Sequence, residues 1–313
     1  MKYAIRKIIS FVITLCLVSF LVFAAFAVIP GDPALSKLGT DATPSQLAAL
    51  REEMGLNRPL LVRFGSWAVS FLHGDMGTSY SYDRPVAGMI LDKLPITLTL
   101  AAMAFSLTIL LALPLGIHAA RHEGGLVDKL IYCIGQAVMA VPPFFLGILL
   151  TFFFGLVLKW FTPGGYVSYQ TDFWGFVRYL FFPALAIALP KAAMALKLLR
   201  GSLIGEAKQD YARTAYSRGN NTSQVLYRHL LKNALIPVVT FLGMALADMI
   251  AGSIIVEQVF SIPGLGRILM TSISGRDYPV VQAIIVWIAV LVLVVNLLVD
   301  LVYQWIDPRI RME

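Results

Sequence analysis

Long apolar runs separated by short charged segments dominate the pattern of this chain. A helix rises 1.5 Å per residue, so about 20 apolar residues are needed to cross about 30 Å of hydrocarbon. The pattern therefore predicts six transmembrane helices in an all-α integral membrane protein. The six runs lie at 8–29, 96–120, 131–158, 178–200, 236–260 and 280–306.

Prolines fall inside several of these runs, among them Pro142-Pro143 in the third and Pro183 and Pro190 in the fourth. In a membrane bundle, neighbouring helices can satisfy the carbonyls that a proline leaves unbonded. We therefore expect kinks at these prolines rather than breaks.

The first run could also be a cleaved signal peptide, because it has a basic start and an Ala25-Phe26-Ala27 pattern near its end. A signal peptide has an apolar region of about 7–15 residues. The run at 8–29 is longer, so we favour an uncleaved first transmembrane helix.

Composition excludes several classes of protein. Of 313 residues, 58% are hydrophobic and 14% are charged, whereas soluble domains carry about 25% charged residues. A soluble enzyme, a disordered chain and a nucleic-acid-binding protein are all poor interpretations. The two cysteines, Cys16 and Cys133, both lie in apolar runs and indicate no disulfide framework.

The distribution of charge predicts the orientation. With the N-terminus inside, the inner segments 1–7, 121–130, 191–235 and 307–313 carry a net charge of +9, and the outer segments carry none. The positive-inside rule therefore places both termini in the cytoplasm. Lys191 is counted with the inner side, although it could lie deeper in the fourth span, which would change the sum by one unit.

This topology divides the chain into a first transmembrane helix (1–29), an extracytoplasmic segment (30–95), a five-helix core (96–306) and a cytoplasmic tail (307–313). In the outer segment, Thr43, Pro44 and Gln46 predict a capped helix that ends near Gly55. An apolar periodicity over 60–72 predicts a second helix, which either lies on the membrane interface or packs against the bundle.

The cytoplasmic loop 200–235 has two predicted helices. Asp210 can cap the first, which runs to Arg218 and stops at Gly219; Asn221 or Thr222 can cap the second, at 223–234. Ala212, Ala215 and Gly219 form a stripe of small residues on the first helix. The stripe suits either docking into a partner's groove or a tight helical hairpin without a partner.

Motifs for catalysis are missing from the sequence. It contains no G-x-x-x-x-G-K-[ST] phosphate loop, no Cys/His cluster with metal-ligand spacing and no protease motif. Asp248 lies about midway along the fifth span, where a carboxylate costs roughly 2.5–3.5 kcal/mol to insert. Asp248 should therefore face a water-filled path or hydrogen-bond a neighbouring helix.

Short motifs are distributed along nearly the whole chain. They are Pro30-Gly31-Asp32-Pro33, Gly55-Leu56-Asn57-Arg58-Pro59, Gly74-Asp75-Met76-Gly77-Thr78-Ser79, Leu94-Pro95-Ile96-Thr97-Leu98, the loop from Asp210 to Gly219, Arg228 to Pro237, Val256 to Gly266, Arg276-Asp277-Tyr278-Pro279, Asp300 to Tyr303, and Asp307-Pro308-Arg309-Ile310-Arg311. Together these motifs resemble the permeases of ABC importers, and in particular the first membrane subunit of the dipeptide/oligopeptide/nickel branch.

The sequence departs from the general importer loop in three places. Arg213-Thr214-Ala215 fills the first slot, His229 takes the place of the usual Ile, and the final proline falls late, at Pro237. Members of the peptide branch share this lengthened pattern. Asn220-Asn221 after Gly219 is less usual, because an apolar residue commonly follows the glycine.

The resemblance implies a type I ABC importer permease in the bacterial inner membrane that imports peptides and is not itself an enzyme. Implied partners are a second homologous permease, two ATPase subunits that bind ATP and magnesium, and an extracytoplasmic binding protein. Asp210, Ala212, Ala215 and Gly219 would couple the permease to the ATPases, and Asp248 and Glu257 would contact the translocation path.

Three alternatives remain open at this level. The same machine could import nickel, a metal–chelator complex or another small solute. An ion-gradient-driven secondary transporter is disfavoured because Asp248 is the only deep acid considered for a path and no paired interrupted half-helices are evident. A purely structural scaffold would leave the acid in the fifth span without a reason.

Overall fold

The structure is a computed structural model that describes residues 2–28, 32–39 and 42–306. Its regular secondary structure is helical, with one isolated β-bridge between Thr78 and Pro85 in these ranges. The all-α prediction is therefore confirmed. The helices are α1 (Lys2–Val28), α2 (Pro33–Leu38), α3 (Pro44–Glu53), α4 (Leu60–Leu72), α5 (Val86–Arg121), α6 (Leu126–Ala140), α7 (Pro143–Leu150), α8 (Phe173–Ala207), α9 (Asp210–Ser217), α10 (Thr222–Val225), α11 (Leu231–Val259), α12 (Leu265–Ser274) and α13 (Tyr278–Ile306).

Five of the predicted spans are single apolar helices long enough to cross a bilayer, counted over the described residues. Their spanning portions are Arg6–Val28, Val86–Arg121, Phe173–Ala207, Thr222–Val259 and Tyr278–Val299. The remaining span, the third, consists of α6 and α7, with a π-helical segment at Thr151–Val157 continuing α7. The predicted tail at 307–313 and part of the Pro30-Gly31 motif lie outside the described residues.

The third span breaks at Pro142-Pro143, so the expectation of a kink there is wrong. The two halves, Leu126–Ala140 and Pro143–Val157, meet at an angle of 105°. Val141 and Pro142 are both extended, with ψ of 125° and 145°, because each precedes a proline that disfavours the helical conformation. By contrast, α8 continues through the isolated Pro183 and Pro190.

The second cytoplasmic helix is longer than predicted. It begins at Thr222, where Asn221 forms a capping box with Gln224, and continues through a π-helical segment at Leu226–Leu230 into α11. The predicted end at residue 234 is therefore wrong. Pro237 lies inside α11, as membrane helices allow when the freed carbonyls find other partners.

One compact unit comprises Met1–Thr97 and Pro263–Leu293. Within it, α3 has the predicted capping box: the amide of Thr43 donates to Gln46 Oε1 (2.9 Å) and the amide of Gln46 donates to Thr43 Oγ1 (3.4 Å). Gly55 has φ of +63° just after the helix, as expected for a stop. These local features follow from the residues themselves.

Helix α4 packs against α1, as one of the two predicted placements of segment 60–72 requires. The centroids of the Phe64 and Trp67 rings each lie 5.7 Å from the centroid of the Phe23 ring.

The buried Asp277 connects two parts of the same unit. Its carboxylate accepts hydrogen bonds from Ser79 Oγ at 2.5 Å and from the amides of Tyr80 and Ser81 at 3.0 and 3.2 Å.

The other compact unit comprises Leu98–Ile262 and Val294–Glu313, and α8 lies at its centre. Helix α8 contacts α6, α7 and α11. Alanines occupy several of its buried positions, which lets neighbouring backbones approach closely there, as is common between membrane helices. The fully buried ones are Ala184, Ala186, Ala188 and Ala195.

Candidate functional site

The predicted coupling helix forms as α9, with a different first residue from the predicted cap. Gln209, not Asp210, occupies the N-cap position, and it makes no side-chain capping hydrogen bond. Asp210 begins the helix, where its negative charge is favourable near the positive end of the helix dipole. Its carboxylate lies 3.5 Å from the guanidinium of Arg213, on an exposed face.

Gly219 ends this helix in the left-handed conformation that the sequence predicted. Its φ is +84°, and its amide donates a 2.9 Å hydrogen bond to the carbonyl of Tyr216. A Cβ built on Gly219 would meet no atom within 4 Å. The backbone angle, and not crowding, is therefore what favours glycine here.

Two of the three residues of the small-residue stripe, Ala212 and Ala215, face the interior of the chain, whereas Gly219 is exposed. Ala212 is 0% exposed and Ala215 is 5% exposed, and both pack in an apolar cluster with Leu199 and Leu203 of α8 and Val225 of α10. The two alanines thus pack within the chain, as a tight hairpin requires. The surface of α9 available to a partner is instead formed by its exposed residues, which include Asp210, Arg213, Thr214, Tyr216, Ser217 and Arg218. An ATPase-coupling role for Asp210, Ala212, Ala215 and Gly219 stays a prediction.

Tyr211 attaches α9 to two longer helices, a role that the sequence did not reveal. Its hydroxyl donates to the carboxylate of Glu206 near the end of α8, and the side-chain amide of Asn233 in α11 donates to the hydroxyl at 3.2 Å. Partial burial and then the Glu206 carboxylate raise the pKa of Tyr211, so the donating O–H persists at neutral pH. The only feature of the sequence that could have indicated this attachment is the presence of a polar aromatic residue next to Ala212.

The two unusual asparagines both act as caps. Asn220 donates its side-chain amide to the carbonyl of Ala215 at 2.9 Å, near the end of α9. Asn221 accepts from the amide of Gln224 at 2.9 Å, at the start of α10. Each therefore satisfies a backbone group at a helix end that would otherwise need another partner.

Asp248 forms an ion pair with Lys191, at an Nζ–Oδ2 distance of 2.8 Å. Lys191 lies within α8 and Asp248 within α11, so the deeper position for Lys191 is the observed one, and the inner net charge falls to +8. Asp248 thus hydrogen-bonds a neighbouring helix. In the isolated chain, 65% of its side chain is nevertheless exposed, against 28% for Lys191.

Glu257, the other residue predicted to contact the path, is fully buried near the outer end of α11. In this structure its carboxylate therefore faces the interior of the chain and not an open surface. Its role at the path stays a prediction.

A second ion pair, which the sequence did not reveal, fixes the start of α6 to α8. The buried carboxylate of Asp128 accepts two hydrogen bonds from the guanidinium of Arg200, at 2.5 and 2.6 Å, and one from the amide of Gly124 at 2.9 Å. Such fork-shaped pairs fix orientation as well as distance.

In the described part of the chain, no three His, Cys, Asp or Glu side chains lie close enough together to hold a metal ion.

The fold and these features define the class: a polytopic helical membrane protein with a packed cytoplasmic loop helix and a charged pair within its spans. A family described as "Binding-protein-dependent transport system inner membrane component" matches residues 112–312, and the N-terminal part of such components matches residues 1–101. The chain belongs to this family. It is a multi-pass transport component of the bacterial inner membrane, whose partners include an ATPase and a substrate-binding protein.

Relatives of similar length match along nearly the whole chain. A probable peptide ABC transporter permease protein, y4tP, of Sinorhizobium fredii is 35% identical over 309 residues and is covered over 99% of both chains. The dipeptide transport system permease protein DppB of Alkalihalophilus pseudofirmus is 33% identical, and the glutathione transport system permease protein GsiC of Pectobacterium atrosepticum is 34% identical. Coverage is 99% of both chains in each case.

A solved structure has the same fold. It is titled as an inward-facing conformation of the MetNI methionine ABC transporter, and one of its chains aligns with a TM-score of 0.58 at 15% identity. The alignment covers 70% of this chain and 96% of that chain. The type I ABC importer permease fold is thereby confirmed.

Proposed function

We propose that this chain is a membrane-spanning subunit of an ATP-driven importer of short peptides. It forms half of the translocation path together with a second, homologous permease. An extracytoplasmic binding protein delivers the cargo, and two ATPase subunits bind ATP and magnesium and drive transport. The observation that carries the proposal is the similarity over 99% of the chain to permeases named for peptides, dipeptides and glutathione.

The structure supports coupling through the cytoplasmic loop. Helix α9 presents an exposed face with charged residues, and its buried face and Tyr211 attach it to α8 and α11. A force applied to α9 by an ATPase would therefore reach the two helices that carry the ion pair. Rigid movement of such packed elements is a known way to alternate between two open states.

The exposed carboxylate of Asp248 in this ion pair also supports a path on this side of the chain. A carboxylate at mid-membrane depth is costly against lipid, so protein or water should cover Asp248 in the assembly. A second permease on this face would place Asp248 beside the path that the two subunits enclose.

Reconstituted vesicles test the proposed function. We expect uptake of a labelled dipeptide when the two permeases, the ATPases and the binding protein are present, with ATP on the ATPase side. Uptake should persist after an uncoupler collapses the proton gradient and should stop when the phosphate-loop lysine of the ATPases is replaced. Uptake without ATPases, or uptake that the uncoupler abolishes while ATP is maintained, would refute the proposal.

A further inference from the structure

The ion pair between Lys191 and Asp248 lies deep in the membrane. Lys191 is near the middle of α8, and Asp248 is eleven residues before the outer end of α11 at Val259. At 1.5 Å per residue, Asp248 lies about 16 Å from that end. With the outer end of α11 at the outer surface of the hydrocarbon layer, which is about 30 Å thick, Asp248 lies near the middle of that layer and Lys191 lies beside it.

The surface around Asp248 differs from a surface that faces lipid. One turn before Asp248 on α11 is the exposed Met244, and one and two turns after it are the exposed Gly252 and Ile255. This stripe combines a charge, a glycine and a flexible thioether. In contrast, the exposed positions of α1 between Ile8 and Leu21 include a series of large aliphatic residues, as expected against acyl chains.

A charged pair that is accessible from a path can exchange partners with a zwitterion. If a lysine ammonium binds the carboxylate of a cargo while an aspartate binds its ammonium, no charge is left unpaired at a depth where an unpaired charge is costly. A cargo with one end blocked would leave either Lys191 or Asp248 without an opposite charge. Short peptides with two free ends have the matching chemistry.

We propose that Lys191 and Asp248 form a binding site for the two free ends of a peptide within the translocation path. Lys191 binds the α-carboxylate and Asp248 binds the α-ammonium. Met194 and Met244, both exposed and both one turn toward the cytoplasmic side, offer adaptable contacts for varied side chains. The inference rests on the proposed function, because it assumes a peptide cargo and a path on this face.

Direct binding tests the site without the selectivity of the binding protein. The assembled permease–ATPase complex is placed in lipid nanodiscs, and the binding of tritiated trialanine is compared with that of its N-acetyl and C-amide forms. We expect the free-ended peptide to bind about tenfold more tightly than either blocked form, the ratio expected from one charge-assisted hydrogen bond.

Single substitutions should separate the two ends. Lys191→Met should remove the discrimination against the C-amide and keep the discrimination against the N-acetyl form, and Asp248→Asn should do the reverse. Arg51→Met serves as a control, because it breaks an ion pair with Asp32 in the outer segment and should leave both ratios unchanged. A purely structural ion pair would not give end-specific losses.

A neutral double variant keeps the test decisive if a single variant fails to assemble. Lys191→Met combined with Asp248→Leu leaves no unpaired charge, and we expect both ratios to fall to about one. The inference is overturned if this variant, or both single variants, keep the wild-type ratios, or if the wild type binds the blocked and free forms equally. If one of these results is found while the wild-type complex still shows ATP-driven uptake, the end-binding site alone is refuted. If the wild-type complex shows no ATP-driven uptake, the proposed function is refuted.

Discussion

At the residue scale, Gly219 combines an unusual backbone angle with open surroundings. A Cβ at Gly219 would meet no other part of the chain within 4 Å, so the φ of +84° is what disfavours a side chain at this position. A β-branched residue in the left-handed region costs about 1–2 kcal/mol or more. The penalty would fall on the junction between α9 and α10.

We therefore expect Gly219→Val to weaken the stimulation of ATPase activity by loaded binding protein, while the amount of permease in the membrane stays normal. Gly219→Asn should retain most of the stimulation, because asparagine tolerates this conformation. Gly205→Val is a matched control, since Gly205 is equally open but has no positive φ. Normal stimulation by the Val variant would argue against a coupling role for Gly219.

Single residues also show what the sequence could predict. The capping box at Thr43, the stops at Gly55 and Gly219 and the cap at Asn221 all depend on neighbours within a few positions, and the structure has all of them. The partner of Asp248 is 57 positions away, so only packing of α8 against α11 reveals it. The spacing of Ala212, Ala215 and Gly219 predicted a small-residue stripe on α9. It did not show whether the stripe would contact a partner protein or other helices of the same chain.

At the scale of elements, α9 is short and depends on its attachments. Eight residues are too few for a stable isolated helix, so the apolar cluster and the Tyr211 hydrogen bonds hold it in place. One of these hydrogen bonds has a charged acceptor, Glu206, which makes it stronger than a bond between neutral groups in the same exposed position. Tyr211 is thus well placed to transmit movement of α9 to α8 and α11.

We expect Tyr211→Phe to lower the number of peptides imported per ATP hydrolysed, because the ring remains packed while the attachment to Glu206 and Asn233 is lost. The measurement is simultaneous peptide uptake and phosphate release in vesicles. Tyr216→Phe is the control, since Tyr216 is an exposed tyrosine on the same helix. An unchanged ratio in Tyr211→Phe would show that the apolar cluster alone carries the coupling.

Elements also show where a sequence pattern misleads. Apolar periodicity predicted the third span as one helix, because Pro142-Pro143 and single prolines look alike in a hydropathy pattern. The difference is conformational: consecutive prolines force two successive residues, Val141 and Pro142, into extended geometry. Helices α8 and α11, by contrast, continue through the single prolines Pro190 and Pro237. Hydropathy reports burial and carries no information about this geometry.

At the scale of the whole molecule, the distribution of charge makes a prediction about sidedness. Even with Lys191 assigned to the membrane, the inner segments keep a net charge of +8 against zero outside. In a variant lacking Cys16 and Cys133, we expect an impermeant maleimide to label Gln170→Cys in spheroplasts and to label Arg213→Cys only in inverted vesicles. Both positions are exposed in the structure. The opposite labelling pattern would invert the topology and move α9 away from the ATPase side.

The broken third span also has a consequence for the fit between the protein and its membrane. Helix α6 has 15 residues, a length of about 22 Å, against a hydrocarbon layer of about 30 Å. After the 105° bend, α7 and its π-helical extension turn sharply away from the α6 axis. This side of the permease therefore presents a hydrophobic mismatch. Local thinning of the bilayer is one way to match a short helix, and we therefore expect the activity of the transporter to depend on the thickness of the bilayer around it.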